Sequence, residues 1–99
     1  MFIYDNYSGN SYHIEEQNIV VGRIDAVGVV LNTIERPQLQ IRIMVYKFYA
    51  GNPIILYKYI SDVLELIEYE TGKNMLVKSG YISDNFDCWQ MDIDLHHPY

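Results

Sequence analysis

Two stretches of this sequence alternate apolar and polar residues with a period of two, the pattern of a strand buried on one face only. Within residues 38–49, Leu39, Ile41, Ile43 and Val45 point one way, and Gln38, Gln40, Arg42, Met44 and Tyr46 the other. Within 86–95, Trp89, Met91, Ile93 and Leu95 face inward, and Cys88, Gln90, Asp92 and Asp94 outward. Such strands form a sheet with one apolar face, which needs a second layer to cover it.

The covering element is a helix over about 62–71. Ile60, Val63, Leu64 and Ile67 make one apolar stripe, while Asp62, Glu65 and Glu68 face elsewhere. Ser61 or Asp62 can cap its start, with Glu65 at capping-box spacing, and Gly72 supplies a left-handed stop. So short a helix is marginal alone and must dock on the sheet.

The remaining segments read as further strands. Residues 2–4 and 12–14 flank a run of turn formers at 6–10, and Glu15, Glu16, Gln17 and Asn18 make a polar break. Residues 19–34 are rich in β-branched side chains and read as two strands with a bend or bulge between Asp25 and Gly28. Arg36-Pro37 closes that segment, and Ala50-Gly51-Asn52-Pro53 is a turn. Residues 54–59 admit two readings. Asn52 as a cap and Pro53 as first helical residue would begin a helix running to Thr71. A strand is preferred, because Ile54, Ile55, Leu56, Tyr57 and Tyr59 would leave that helix start apolar nearly all round. Residues 75–82 are another strand, 83–85 a turn. The fold expected is α+β: a twisted, mainly antiparallel sheet of about five to seven strands with one helix on one face. It forms a single domain over 1–99.

Thirteen acids and seven bases give a net charge of −6, and the distribution says more than the total. Up to residue 60, five acids balance five bases; beyond it stand eight acids against Lys73 and Lys78 alone. This distribution opposes direct binding to phosphate backbones, which needs clustered Lys and Arg. It suits a basic protein partner, since complementary potential speeds and orients encounter. Acidity also keeps small proteins in solution, and that bland reading weighs equally. The ten tyrosines serve as sheet residues or as rigid contact surface. A single cysteine points to a reducing cytoplasm. No apolar run is long enough to cross a bilayer, and the first residues lack the pattern of a signal peptide.

Constellations for chemistry are sparse. Asp92, Asp94 and His96 share one strand face, at a spacing that two metal ligands can use, but nothing else in the chain supplies the remaining ligands. His13 stands by itself. Cys88 shares its strand face with acids, which raise a thiol pKa and oppose nucleophilic use. Glu15-Glu16 and Glu65 with Glu68 lack partner groups for acid–base work. The glycines are dispersed and form no phosphate loop. No enzyme, cofactor or metal is expected.

One local likeness involves Ile60-Ser-Asp-Val63, Glu70-Thr-Gly-Lys73 and Leu76-Val-Lys-Ser79. These are similar to the first helix and following segment of the phage uracil-DNA glycosylase inhibitor family, whose members are acidic protein mimics of DNA. The likeness needs an insertion of one helical turn and does not extend to the rest of the chain, so it implies no membership.

The function expected is that of a small acidic protein-binding inhibitor, specifically an immunity protein that neutralises a nuclease-type toxin. Carboxylates of Asp84, Asp87, Asp92, Asp94, Glu65 and Glu68 would meet the basic active site and tyrosines would supply most of the affinity. Alternatives are a phage-encoded inhibitor of a host nuclease or defence complex, acting as a DNA mimic, and a non-enzymatic subunit of a homo-oligomer. The partner is a basic protein, with no direct contact to nucleic acid or membrane.

Overall fold

The computed structural model describes residues 2–5, 11–31 and 37–96, with side chains described for 11–25 and 39–96. The turn expected over 6–10 and the tail beyond His96 lie outside them. Six strands and one helix follow in the order β1 (Phe2–Asp5), β2 (Ser11–Glu16), β3 (Ile19–Leu31), β4 (Pro37–Tyr46), α1 (Ile55–Thr71), β5 (Leu76–Asp84) and β6 (Cys88–His96). The strands form one open sheet in the order β1-β2-β3-β4-β6-β5, and every neighbouring pair is antiparallel. The α+β class and the single helix are as expected.

The alternation in β4 and β6 sets the core. Leu39 pairs with Leu95, Ile41 with Ile93, Ile43 with Met91 and Val45 with Trp89. Ile24 joins from β3 opposite Ile43, and Ile14 from β2 is fully buried. Gly22 stands opposite Val45, where an added Cβ would lie 2.0 Å from the Met44 carbonyl oxygen. Only glycine lets β3 approach β4 that closely. The expected irregularity in β3 is a register shift between Ala26 and Gly28 within one long strand. Glu15 and Glu16 belong to β2, so the polar break reduces to Gln17-Asn18, a two-residue turn with positive φ at both positions. That backbone matches the twist of the strands it joins.

The helix is longer than the sequence suggested and begins at Ile55, which overturns the strand reading of 54–59. Leu56, Tyr59, Val63 and Ile67 are buried at spacings of a continuous helical stripe. Asn52 Oδ1 accepts the Ile54 N–H at 2.9 Å and Pro53 sits in the entry turn, so Ser61 and Asp62 are interior rather than caps. The apolar excess that argued against a helix start is real: Ile54 and Tyr57 are exposed beside the buried stripe. At the other end Gly72 has φ 73° and its N–H donates to the Glu68 carbonyl at 2.8 Å, the expected left-handed stop.

Topology explains why a helix is needed. β4 and β5 both pair antiparallel to β6, so they run parallel to one another with β6 between them. Parallel strands need a long crossover, and α1 provides it on the apolar face of the sheet. Each fully buried aliphatic side chain in that layer contributes roughly 1.5–3 kcal/mol relative to exposure.

Candidate protein-binding surface

The six carboxylates proposed from sequence fall into three places. Asp92 and Asp94 project from β6 on the face of the sheet that α1 does not cover, opposite Arg42 and Gln40 of β4. Asp92 Oδ1 accepts from Arg42 Nε at 2.9 Å and its Oδ2 from Gln90 Nε2 at 3.1 Å. Asp94 Oδ2 accepts from the Ser79 hydroxyl at 3.0 Å. Glu65 and Glu68 lie on the outer side of α1, since Glu65 is two residues from both buried Val63 and buried Ile67. Asp84 ends β5 and is ion-paired to Lys47, while Asp87 sits exposed in the turn between β5 and β6. Asp84 and Asp87 share one end of the molecule. The other four do not join them in one patch.

The helix-free face carries a connected polar network in place of bare charge. Ser11 is buried, and its hydroxyl donates to Asp25, which also receives Arg23 Nη2 at 2.9 Å. Arg42, Asp92, Asp94, Gln40 and Tyr81 line a polar hollow of 210 Å³ beside it. Asp92, Asp94 and His96 do share a strand face, yet among the described residues no three His, Cys, Asp or Glu converge as metal ligands.

Cys88, expected to face outward, is buried. Its loss of solvent raises the thiol pKa; the Asn85 amide opposes that rise and the nearby Asp87 charge adds to it. The thiol form is therefore held, which agrees with the reading against a nucleophile.

What the sequence did not single out is a cluster of exposed large apolar side chains at the end where β4 leaves the sheet. Phe86 in the β5–β6 turn is 100% exposed and Phe48 in the β4–α1 connection 89%. The Lys47 N–H donates to the Asp87 carbonyl at 2.8 Å, which brings the two connections together. Trp89 Nε1 donates to the Ala50 carbonyl at 3.1 Å, and Lys47 Nζ lies 4.5 Å from the centroid of its ring. Tyr49, Ala50, Ile54, Ile55 and Tyr57 continue the patch as a mainly apolar groove of 660 Å³. Its sequence signal was the apolar excess at 54–59, assigned there to a strand.

On the opposite flank of α1, Lys58 Nζ and the Tyr59 hydroxyl both donate to Glu16 Oε1, at 3.2 and 3.0 Å. The two bonds, Lys58's first, hold the Glu16 carboxyl below the ordinary carboxylate range. Burial, then the bond to Glu16, pushes the Tyr59 phenol well above its ordinary value. No described helix is long and apolar enough to cross a membrane. Comparison with protein-family models, with curated proteins and with solved structures gives no match.

Proposed function

We propose that this chain is a protein-binding inhibitor whose contact surface centres on the exposed aromatic end, with a basic protein as its target. The observation that carries the reading is the placing of Phe48, Tyr49, Ile54, Tyr57 and Phe86 in solvent at one end, beside Asp84 and Asp87. Single exposed apolar residues are ordinary, but a cluster of this kind is typical of an interface. Aromatic anchors at the centre with charge at the rim are the composition of a binding hot spot. The acidic balance of the chain beyond residue 60 suits a basic target. A nuclease toxin, with a cleft built for phosphates, has that character, and the role is then that of an immunity protein. Mimicry of DNA is less well supported, because Asp92 and Asp84 are each engaged by a cation, Arg42 and Lys47, whereas a mimic needs carboxylates set out like phosphates.

The test is capture of basic proteins on the immobilised chain, followed by assay of their nucleic-acid cleavage with and without added chain. A captured nuclease should be silenced at one-to-one stoichiometry. A Phe48→Ala/Phe86→Ala double variant, folded by circular dichroism, should bind it at least about tenfold more weakly. Undiminished cleavage, or equal binding by the double variant, overturns the reading.

A further inference from the structure

One long edge of the sheet is open beside an apolar groove. β5 ends the strand order, so the side of its backbone away from β6 has no partner strand among the described residues. Next to it, Tyr57 and Ile60 of α1 and Val77, Gly80 and Ile82 of β5 enclose a groove of 380 Å³ floored by Met91 and Ile93 of β6. Gly80 has no side chain to roof that floor. Tyr57 also lines the groove of the aromatic end, so the two are one continuous surface.

Edges of this kind are normally protected by charge, by bulges or by a covering element. β5 uses two of these devices, both near its start: Lys78 and a register shift between Val77 and Ser79. From residue 79 to 84 the strand carries no base and pairs regularly with β6. Tyr81 there is 65% exposed on the helix-free side.

We infer that residues 79–84 of β5 accept an extended, basic segment of the partner as an added strand. This rests on the reading of the chain as a binder of a basic protein. An added strand lies about 4.8 Å outside β5 and turns alternate side chains to opposite faces. One set enters the groove between α1 and β5, where apolar groups complete the covering of Met91 and Ile93. The other set passes over Tyr81 towards Asp92 and Asp94, which stand opposite Tyr81 and Ser79 in the register. Of the expected carboxylates, Asp92 and Asp94 border this edge on the helix-free side and Asp84 stands at its end.

Charge selects this occupant over a second copy. The part of the chain that builds the edge and its flanks, beyond residue 60, holds eight acids and two bases. Two such surfaces repel, whereas alternating basic and apolar residues match both faces at once.

The probe is a fluorescein-labelled peptide of alternating lysine and valine, about as long as β5, followed by anisotropy against the intact chain. Its glutamate–valine counterpart is the control. The lysine peptide should bind, more weakly as salt is raised, and at least about tenfold more tightly than the glutamate peptide. Tyr81→Lys and Val77→Lys, each checked for folding by denaturation, should each weaken it about tenfold or more, and amide exchange at 79–84 should slow on binding. Equal binding of both peptides, or full binding by the two β5 variants, overturns the assignment. So does a concentration-dependent dimer abolished by Tyr81→Lys, which makes the occupant a second copy. If the peptide fails while the captured nuclease is still silenced, only the edge assignment falls. If the peptide binds as stated while no nuclease is silenced, only the immunity reading falls.

Discussion

The two faces of the sheet are built by the same strands and solve opposite problems. On the helix side, Ile41, Ile43, Val45, Met91, Ile93 and Leu95 are buried against α1 and derive their stability from removal of apolar surface. On the other side the intervening residues carry ions, yet each charge described in its central strands is engaged. Arg42 meets Asp92, Arg23 meets Asp25 and Ser11, and Ser79 meets Asp94. A carboxylate's place in the sequence therefore does not tell whether its charge is already engaged within the chain. The helix-free face nearly balances its charges and is largely satisfied, with Asp25, Asp92 and Asp94 against Arg23 and Arg42, while the aromatic end and the groove beside β5 are apolar.

Neighbouring positions on β4 test that contrast most directly. Ile43→Ala, at a fully buried position, should destabilise by about 3 kcal/mol, measured as a shift in denaturation midpoint. Met44→Ala, on the other face and only half-buried, should cost well under half as much. Equal effects would mean that both faces are core. Gly22→Ala should come next, at roughly 2 kcal/mol, because its Cβ meets a main-chain oxygen and β3 must move away from β4.

The polar face responds more weakly. Arg42→Met removes one partner of a pair that is partly in solvent (side-chain exposures of 39% and 22%), so the loss should be about 1 kcal/mol. Combining it with Asp92→Asn should recover part of that loss in a double-mutant cycle. A pair that cycles to zero would show that Arg42 and Asp92 contribute no net electrostatic stability to this face.

The smallest effect concerns pH. Glu16 has a lowered pKa in the folded state, so its bonds to Lys58 and Tyr59 add stability above the ordinary carboxylate range. That contribution is lost as pH falls through the folded value, which lies below the ordinary carboxylate range. Tyr59→Phe should reduce stability by about 1 kcal/mol near neutrality and flatten the decline on acidification. An unchanged acid limb would place the pH sensitivity elsewhere.

Much of the fold was legible because β4 and β6 alternate cleanly and because Gly72 marks a helix end. The bulge in β3 could be read from Gly28 and from the conflicting periodicities around it. The start of α1 was hidden for a specific reason. Residues 54–59 serve two surfaces, with Leu56 and Tyr59 in the core and Ile54 and Tyr57 in solvent, so no single period dominates. The partners of the carboxylates were hidden for another reason. Asp92 is half satisfied by Arg42, 50 positions earlier, a relation that register alone reveals. Counting charges along the chain locates acidity but not its neutralisation.

The position of β6 has a consequence for how the chain is made. β5 touches the sheet through β6 alone, yet β6 follows it in the sequence. During synthesis β1 to β4 can zip together as they emerge, each beside its predecessor. α1 then leaves the ribosome with part of its docking surface missing, and β5 with no strand to join. The floor beneath the helix is complete only once β6 has paired with both β4 and β5. Until that moment the chain is an incomplete layer, with β5 not yet attached to the sheet.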